Sequence, residues 1–162
     1  MYYFAYGSNM SSRRLQRRID ATRIGTGRLS HYQLRFHKVG KNDGTGKCDI
    51  LFTDNPSDYV YGVIFEIADR DKVILDQIEG KGIGYDAILV EIEREEGSIQ
   101  AYAYVATEID ASLQPLDWYK AHVLYGAIEN NLEDGYIEMI RSIPATTDID
   151  TKRKKDELSI YA

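Results

Sequence analysis

Hydrophobic residues along the chain follow two rhythms, and the switches between them outline the elements. Residues 2–6 are aromatic and small and stop at Gly7, after which Met10, Leu15 and Ile19 stand among arginines over 9–18. This reads as strand, tight turn and helix. From 24 to 37 the apolar residues Leu29, Tyr32, Leu34 and Phe36 alternate with polar ones, as along one half-buried strand. Residues 40–47 carry turn chemistry and are expected to form a mobile loop, followed by a short strand over 49–53 and a turn at Asn55-Pro56. The run 59–67 is almost wholly apolar, which predicts a strand buried on both faces or lining a barrel. Gly62 inside it marks a bend or a close approach.

Asp69 is placed to cap a helix whose apolar residues are Val73, Ile74, Leu75 and Ile78, with Glu79 its last residue and Gly80 a left-handed stop. Strands over 85–93 and 98–107 are joined at Glu95-Glu96-Gly97 in a hairpin. Pro115 opens a helix with Leu116, Tyr119, Val123 and Ala127 at helical spacing. A second helix, with Tyr136, Met139, Ile140 and Ile143, ends at Pro144. Strands precede helices without βαβ alternation, so the class is α+β with a closed or nearly closed mixed sheet. Residues 1–144 form a single domain on this reading. Residues 145–162, with Lys152-Arg153-Lys154-Lys155 and little periodicity, read as a charged, solvated C-terminal tail able to latch through Leu158, Ile160 and Tyr161.

Composition narrows the function classes. The chain has 162 residues with a formal net charge of −6, which suits one globular domain and argues against a broad nucleic-acid-binding face. Cys48 is the only cysteine, which excludes an internal disulfide framework and a cysteine-based zinc site and fits a reducing, cytoplasmic compartment. No apolar run of about 18 residues is present to span a membrane. Met1 to Tyr6 lacks the basic start of a signal peptide, and Lys155-Asp156-Glu157-Leu158 is not at the C-terminus, where a retention signal is read. Small molecules or proteins are the expected partners.

Several chemical motifs fail on their spacing. In 40–47 a phosphate loop would need glycine where Lys41 sits and Ser or Thr where Cys48 sits. Gly80-Lys81-Gly82-Ile83-Gly84 misses the dinucleotide fingerprint by one residue. His31, His37 and His122 lie in no ligand spacing, so no metal and no cofactor is expected. Two features remain. Tyr6-Gly7-Ser8-Asn9 lies between a strand and a helix, where glycine opens an unusual backbone path and helix-start amides can face an anion. The plainer alternative is a turn at Gly7 with Ser8 or Asn9 as helix cap. Glu79 stands at a helix C-terminus, where the macrodipole and partial burial raise its pKa toward values useful for moving protons. An ordinary solvated glutamate beside a helix-ending glycine is the alternative there.

Tyr3-Phe4-Ala5-Tyr6-Gly7-Ser8-Asn9-Met10 resembles the N-terminal signature of the gamma-glutamylcyclotransferase-like family. Further matches follow in order: Val60-Tyr61-Gly62-Val63, then Leu75-Asp76-Gln77-Ile78-Glu79-Gly80 with Tyr85, then Tyr119 and 126–132. The resemblance implies a small mixed β-barrel flanked by helices. It also implies a cavity lined by Tyr6, Gly7, Ser8 and Asn9, with Glu79 as acid/base residue and Tyr85 and Tyr119 shaping the pocket. The implied reaction is attack of a γ-glutamyl α-amine on its own γ-carbonyl, giving 5-oxoproline and a free amine or amino acid without a cofactor. The implied partner is a small γ-glutamyl substrate, and the implied state a monomer or homodimer. Cyclisation of a γ-glutamylamine or a carrier-bound γ-glutamyl group stays open, as does a non-catalytic metabolite-binding module.

Overall fold

The computed structural model describes residues 1–162 and contains seven strands and five α-helices. The strands are β1 (Tyr2–Ala5), β2 (Thr22–Ser30), β3 (Tyr32–Val39), β4 (Gly46–Phe52), β5 (Tyr59–Glu66), β6 (Tyr85–Ile92) and β7 (Ile99–Ala106). The helices are α1 (Ser12–Gln16), α2 (Asp69–Glu79), α3 (Asp117–Glu129), α4 (Asp134–Ser142) and α5 (Thr151–Leu158). Five strands form one mixed sheet in the order β2-β5-β1-β7-β6, and β3 pairs with β4 in a separate hairpin. The short β1 is central, antiparallel to β5 and parallel to β7, with Phe4 and Ala5 fully enclosed. The run 59–67 is apolar because β5 also lies inside the sheet. Gly62 marks a close approach, since a Cβ there would stand 2.6 Å from the Phe4 ring.

The sheet curls but does not close into the expected barrel. Its edge strands meet at one bridge, Arg28 to Glu93, where two backbone hydrogen bonds of 2.9 Å join them. The ladder stops there because the chain leaves the sheet at His31, just after β2, and turns back toward β7 at Glu93, just after β6. His31 also divides what alternation suggests is one strand over 24–37. It takes a left-handed φ of 71°, and its amide and carbonyl are fixed by Asp58 and Thr53 at 2.8 Å. The signal was present as a slip of phase, because Leu29 and Tyr32 are three apart whereas Tyr32, Leu34 and Phe36 are two apart.

Helix α2 keeps its expected end but not its expected face. Ala68 rather than Asp69 is the N-cap, and Asp69 and Asp71 sit in the first turn, where the macrodipole favours them. At the other end Gly80 takes φ 65°, its amide bonds to the Gln77 carbonyl at 3.2 Å, and that of Lys81 bonds to Asp76 at 2.9 Å. This left-handed stop fixes where Glu79 emerges. Only Leu75 of the predicted apolar positions is buried, while Val73, Ile74 and Ile78 are exposed. Polar residues make the contact instead: Asp71 accepts from the Asp20 amide at 3.2 Å, and Lys72 pairs with Asp76 over the Tyr102 ring.

Helix α3 buries Tyr119, Val123 and Ala127 as its spacing predicts. The segment 145–162, read from sequence as a solvated tail able to latch through Leu158, Ile160 and Tyr161, is helical over 151–161 and does dock, with Leu158 against the core. Buried Asp148 accepts from Trp118 Nε1 at 2.8 Å and from Arg153 Nε at 2.6 Å. Glu157 lies 3.0 Å from both Arg14 and His122, and Tyr161 stacks on Tyr125 with ring centroids 3.9 Å apart. No helix is long and apolar enough to cross a membrane.

Candidate active site

The loop after β1 and the C-terminal end of α2 face each other across a cleft of roughly 310 Å³. Tyr6, Gly7, Ser8, Asn9, Glu79, Tyr85 and Tyr119, the residues singled out from sequence, all line it. Sequence reasoning missed Tyr3, Cys48 and Tyr104, which complete the wall. Tyr3 lay inside the quoted motif, and Tyr104 belongs to the aromatic alternation of β7; nothing in the sequence signalled Cys48, which β4 carries in from the separate hairpin.

The loop differs from the expected strand–turn–helix. A 3-10 turn over Ser8–Met10 follows Gly7, and α1 begins only at Ser12, capped by Ser11, whose hydroxyl accepts from the Arg14 amide at 3.4 Å. Neither Ser8 nor Asn9 is that cap. Gly7 has φ −115°, so chirality does not demand glycine there. Space does: a Cβ on Gly7 would stand 2.8 Å from the Cys48 Cβ and 3.3 Å from its Sγ. The turn hydrogen bonds use the carbonyls of Gly7 and Ser8 and none of the amides of Gly7, Ser8 or Asn9 as donor. No side chain accepts from these three N–H groups either, and their residues line the cleft.

Asn9 ties the loop to Glu79. Its side-chain amide donates to the Tyr3 hydroxyl at 3.0 Å and to Glu79 Oε1 at 3.1 Å, while its own Oδ1 is buried without a partner. Arg18 approaches the same Glu79 oxygen at 3.6 Å. Burial raises the pKa of Glu79, and the attraction of Arg18, the Asn9 hydrogen bond and the charges of Arg14 and Lys38 offset this only in part. The direction matches the sequence expectation, and burial, one of the two causes named there, leads.

The other polar groups of the cleft hold one another. Tyr85 donates to the Cys48 carbonyl at 2.6 Å, the Tyr119 hydroxyl accepts from the Cys48 amide at 2.9 Å, and Tyr6 donates to the Tyr104 carbonyl. Tyr104 in turn donates to Asp76 at 2.5 Å, anchoring the cleft floor to α2. Burial pushes Tyr3, Tyr6, Tyr85, Tyr104 and Tyr119 above the ordinary phenol range and the Cys48 thiol above its own. These groups stay protonated near neutral pH, which leaves Glu79 as the one carboxyl group lining the cleft. No three His, Cys, Asp or Glu side chains are arranged to hold a metal ion.

Comparison with known proteins places this geometry in context. The model of the AIG2-like family matches residues 59–140. The chain is 33% identical over 147 residues to gamma-glutamylcyclotransferase from Homo sapiens, covering 87% of this chain and 77% of that protein. A solved structure of a gamma-glutamyl cyclotransferase superposes with a TM-score of 0.88 at 27% identity, covering 98% of each chain. An uncharacterized protein from Homo sapiens superposes with a TM-score of 0.86 at 28% identity, over 99% of this chain and 98% of that one.

Proposed function

This chain belongs to the AIG2-like, gamma-glutamylcyclotransferase family of enzymes, and we propose that it cyclises a small γ-glutamyl compound to 5-oxoproline, releasing a free amine or amino acid. One observation carries the reading: the one carboxylate lining the cleft, half-buried Glu79, has a raised pKa and is hydrogen-bonded to the loop that lines the opposite wall.

The chemistry asks little more of the protein. Nucleophile and electrophile belong to one molecule, so folding the glutamyl chain into a five-membered shape supplies much of the rate. Glu79, as carboxylate, takes a proton from the α-ammonium, and the freed amine attacks the γ-carbonyl to form the ring C–N bond. The tetrahedral intermediate then expels the original amide nitrogen, which receives that proton from Glu79, while the ring nitrogen sheds its second hydrogen as a proton that the released amine carries away as its ammonium. The carboxylate is regenerated, and the sum balances as one γ-glutamyl compound giving 5-oxoproline and one amine. The free amides of Gly7, Ser8 and Asn9 are donors for a substrate oxygen, and the unpartnered Asn9 Oδ1 is an acceptor for a substrate N–H. The neutral tyrosines fix the walls without competing for the proton.

The test is mass-spectrometric detection of 5-oxoproline from γ-glutamyl dipeptides and γ-glutamyl-lysine. Release from at least one of them by the wild-type protein is expected. A folded protein that binds 5-oxoproline but turns nothing over would instead make this a binding module.

A further inference from the structure

Outside the cleft lies a wider vestibule of roughly 1190 Å³ that shares Glu79 and Tyr119 with it. Its walls carry the cations Arg14, Lys38, Lys41, Lys47 and Arg153 beside the carboxylates Asp43, Glu79 and Glu157. Four of these cations are already matched. Arg14 pairs with Glu157 at 3.0 Å, Lys41 with Glu108 at 2.6 Å, Lys47 with Asp43 at 2.9 Å and Arg153 with Asp148 at 2.6 Å.

Lys38 is the exception. It is a buried residue in no ion pair, and its ammonium rests over the Tyr85 ring, 4.7 Å from the centroid. A Cβ on Gly84 would stand 3.4 Å from the Lys38 ammonium and 2.9 Å from the Glu79 carbonyl. The unmatched charge therefore lies beside the end of α2 that presents Glu79, on the vestibule side. Burial lowers its pKa, with the Glu79 charge opposing. A cation–π contact offsets only part of the desolvation of an ammonium, and a docked anion would offset the rest.

We infer that Lys38 is a specificity-determining residue that receives an anionic group carried by the leaving amine, a carboxylate in the simplest case. The inference rests on the cyclotransferase reading. With the glutamyl group in the cleft and the scissile amide at Glu79, whatever follows the amide nitrogen enters the vestibule. In an amino-acid leaving group the carboxylate carbon is two bonds from that nitrogen. A neutral amine places nothing there, so Lys38 separates γ-glutamyl amino acids from γ-glutamylamines.

The experiment compares γ-glutamyl-alanine with γ-glutamyl-alaninamide, which differ only in that charge, on wild type, Lys38→Met and Lys38→Arg. Wild type is expected to favour the acid in kcat/KM by about 10- to 100-fold, the range of a charge-assisted hydrogen bond. Lys38→Met should raise KM for the acid, with kcat little changed, until the ratio approaches one; Lys38→Arg should keep most of the preference. Thermal melts show that both variants fold. A wild type indifferent to the charge, a Lys38→Met protein that keeps the preference, or a folded one that loses both substrates equally would overturn the assignment. A wild type that releases 5-oxoproline from neither overturns the cyclotransferase reading itself, and the subsite falls with it.

Discussion

The cleft and the vestibule meet at Glu79 and Tyr119 and are built on opposite principles. Inside, tyrosines held neutral by burial bond to backbone carbonyls and amides around one carboxylate. Outside, cations and carboxylates pair across the β3–β4 turn, α1 and the C-terminal helix. The difference separates two tasks. A charge-poor interior lets burial tune one proton carrier, whereas a charge-rich exterior reads what the leaving group carries.

The sharpest way to break the comparison is to neutralise the one inner charge. Glu79→Gln keeps size and the Asn9 contact but cannot carry a proton, so 5-oxoproline release should fall by about 10²- to 10⁴-fold. Stability should move the other way. A raised carboxyl pKa means stability present below the unfolded value and lost as pH rises through the folded one. Glu79→Gln should therefore melt no lower than wild type near pH 8, with the difference closing toward about pH 4. Next in size, Gly7→Val drives a side chain into Cys48 and should cost on the order of 10²-fold in kcat/KM by displacing the loop. Adding Cys48→Gly should recover part of that loss in a double-mutant cycle. Arg18→Gln has a smaller effect: it removes a charge that favours the Glu79 carboxylate, so the acid limb of kcat/KM should move to higher pH.

The smallest effect belongs to the outer region. Glu157 has its pKa held down to about 2, with His122 the main cause and Arg14 adding to it. That stabilisation is present above the ordinary carboxylate range and fades as pH falls toward 2. Glu157→Gln should lower Tm by roughly 2–4 °C at pH 7 and by almost nothing near pH 2.

The inner region was largely legible in the sequence and the outer one was not, for a physical reason. The cleft residues sit in short local patterns: a strand ending at Gly7, and a helix ending at Gly80 with Glu79 just before it. Helix α3 was equally plain because its contact is apolar. Helix α2 misled because Asp71 and Lys72 make its contacts while Val73, Ile74 and Ile78 face outward. The helix within 145–162 was not foreseen for the same reason: a Trp118 hydrogen bond to Asp148 and the Arg14–Glu157 ion pair dock the segment, and hydrophobic periodicity is blind to them. Barrel closure and the position of Cys48 depend on where the chain leaves the sheet at His31, which only a phase slip records.

The central claim is that burial makes Glu79 the proton carrier, and a carbon-detected NMR titration of its carboxyl beside the pH dependence of kcat/KM tests it most directly. The account predicts a Glu79 midpoint above the ordinary value of about 4.3 that coincides with the acid limb of the rate profile. A Glu79 that titrates at the ordinary value, or a rate that runs flat through its midpoint, would contradict it.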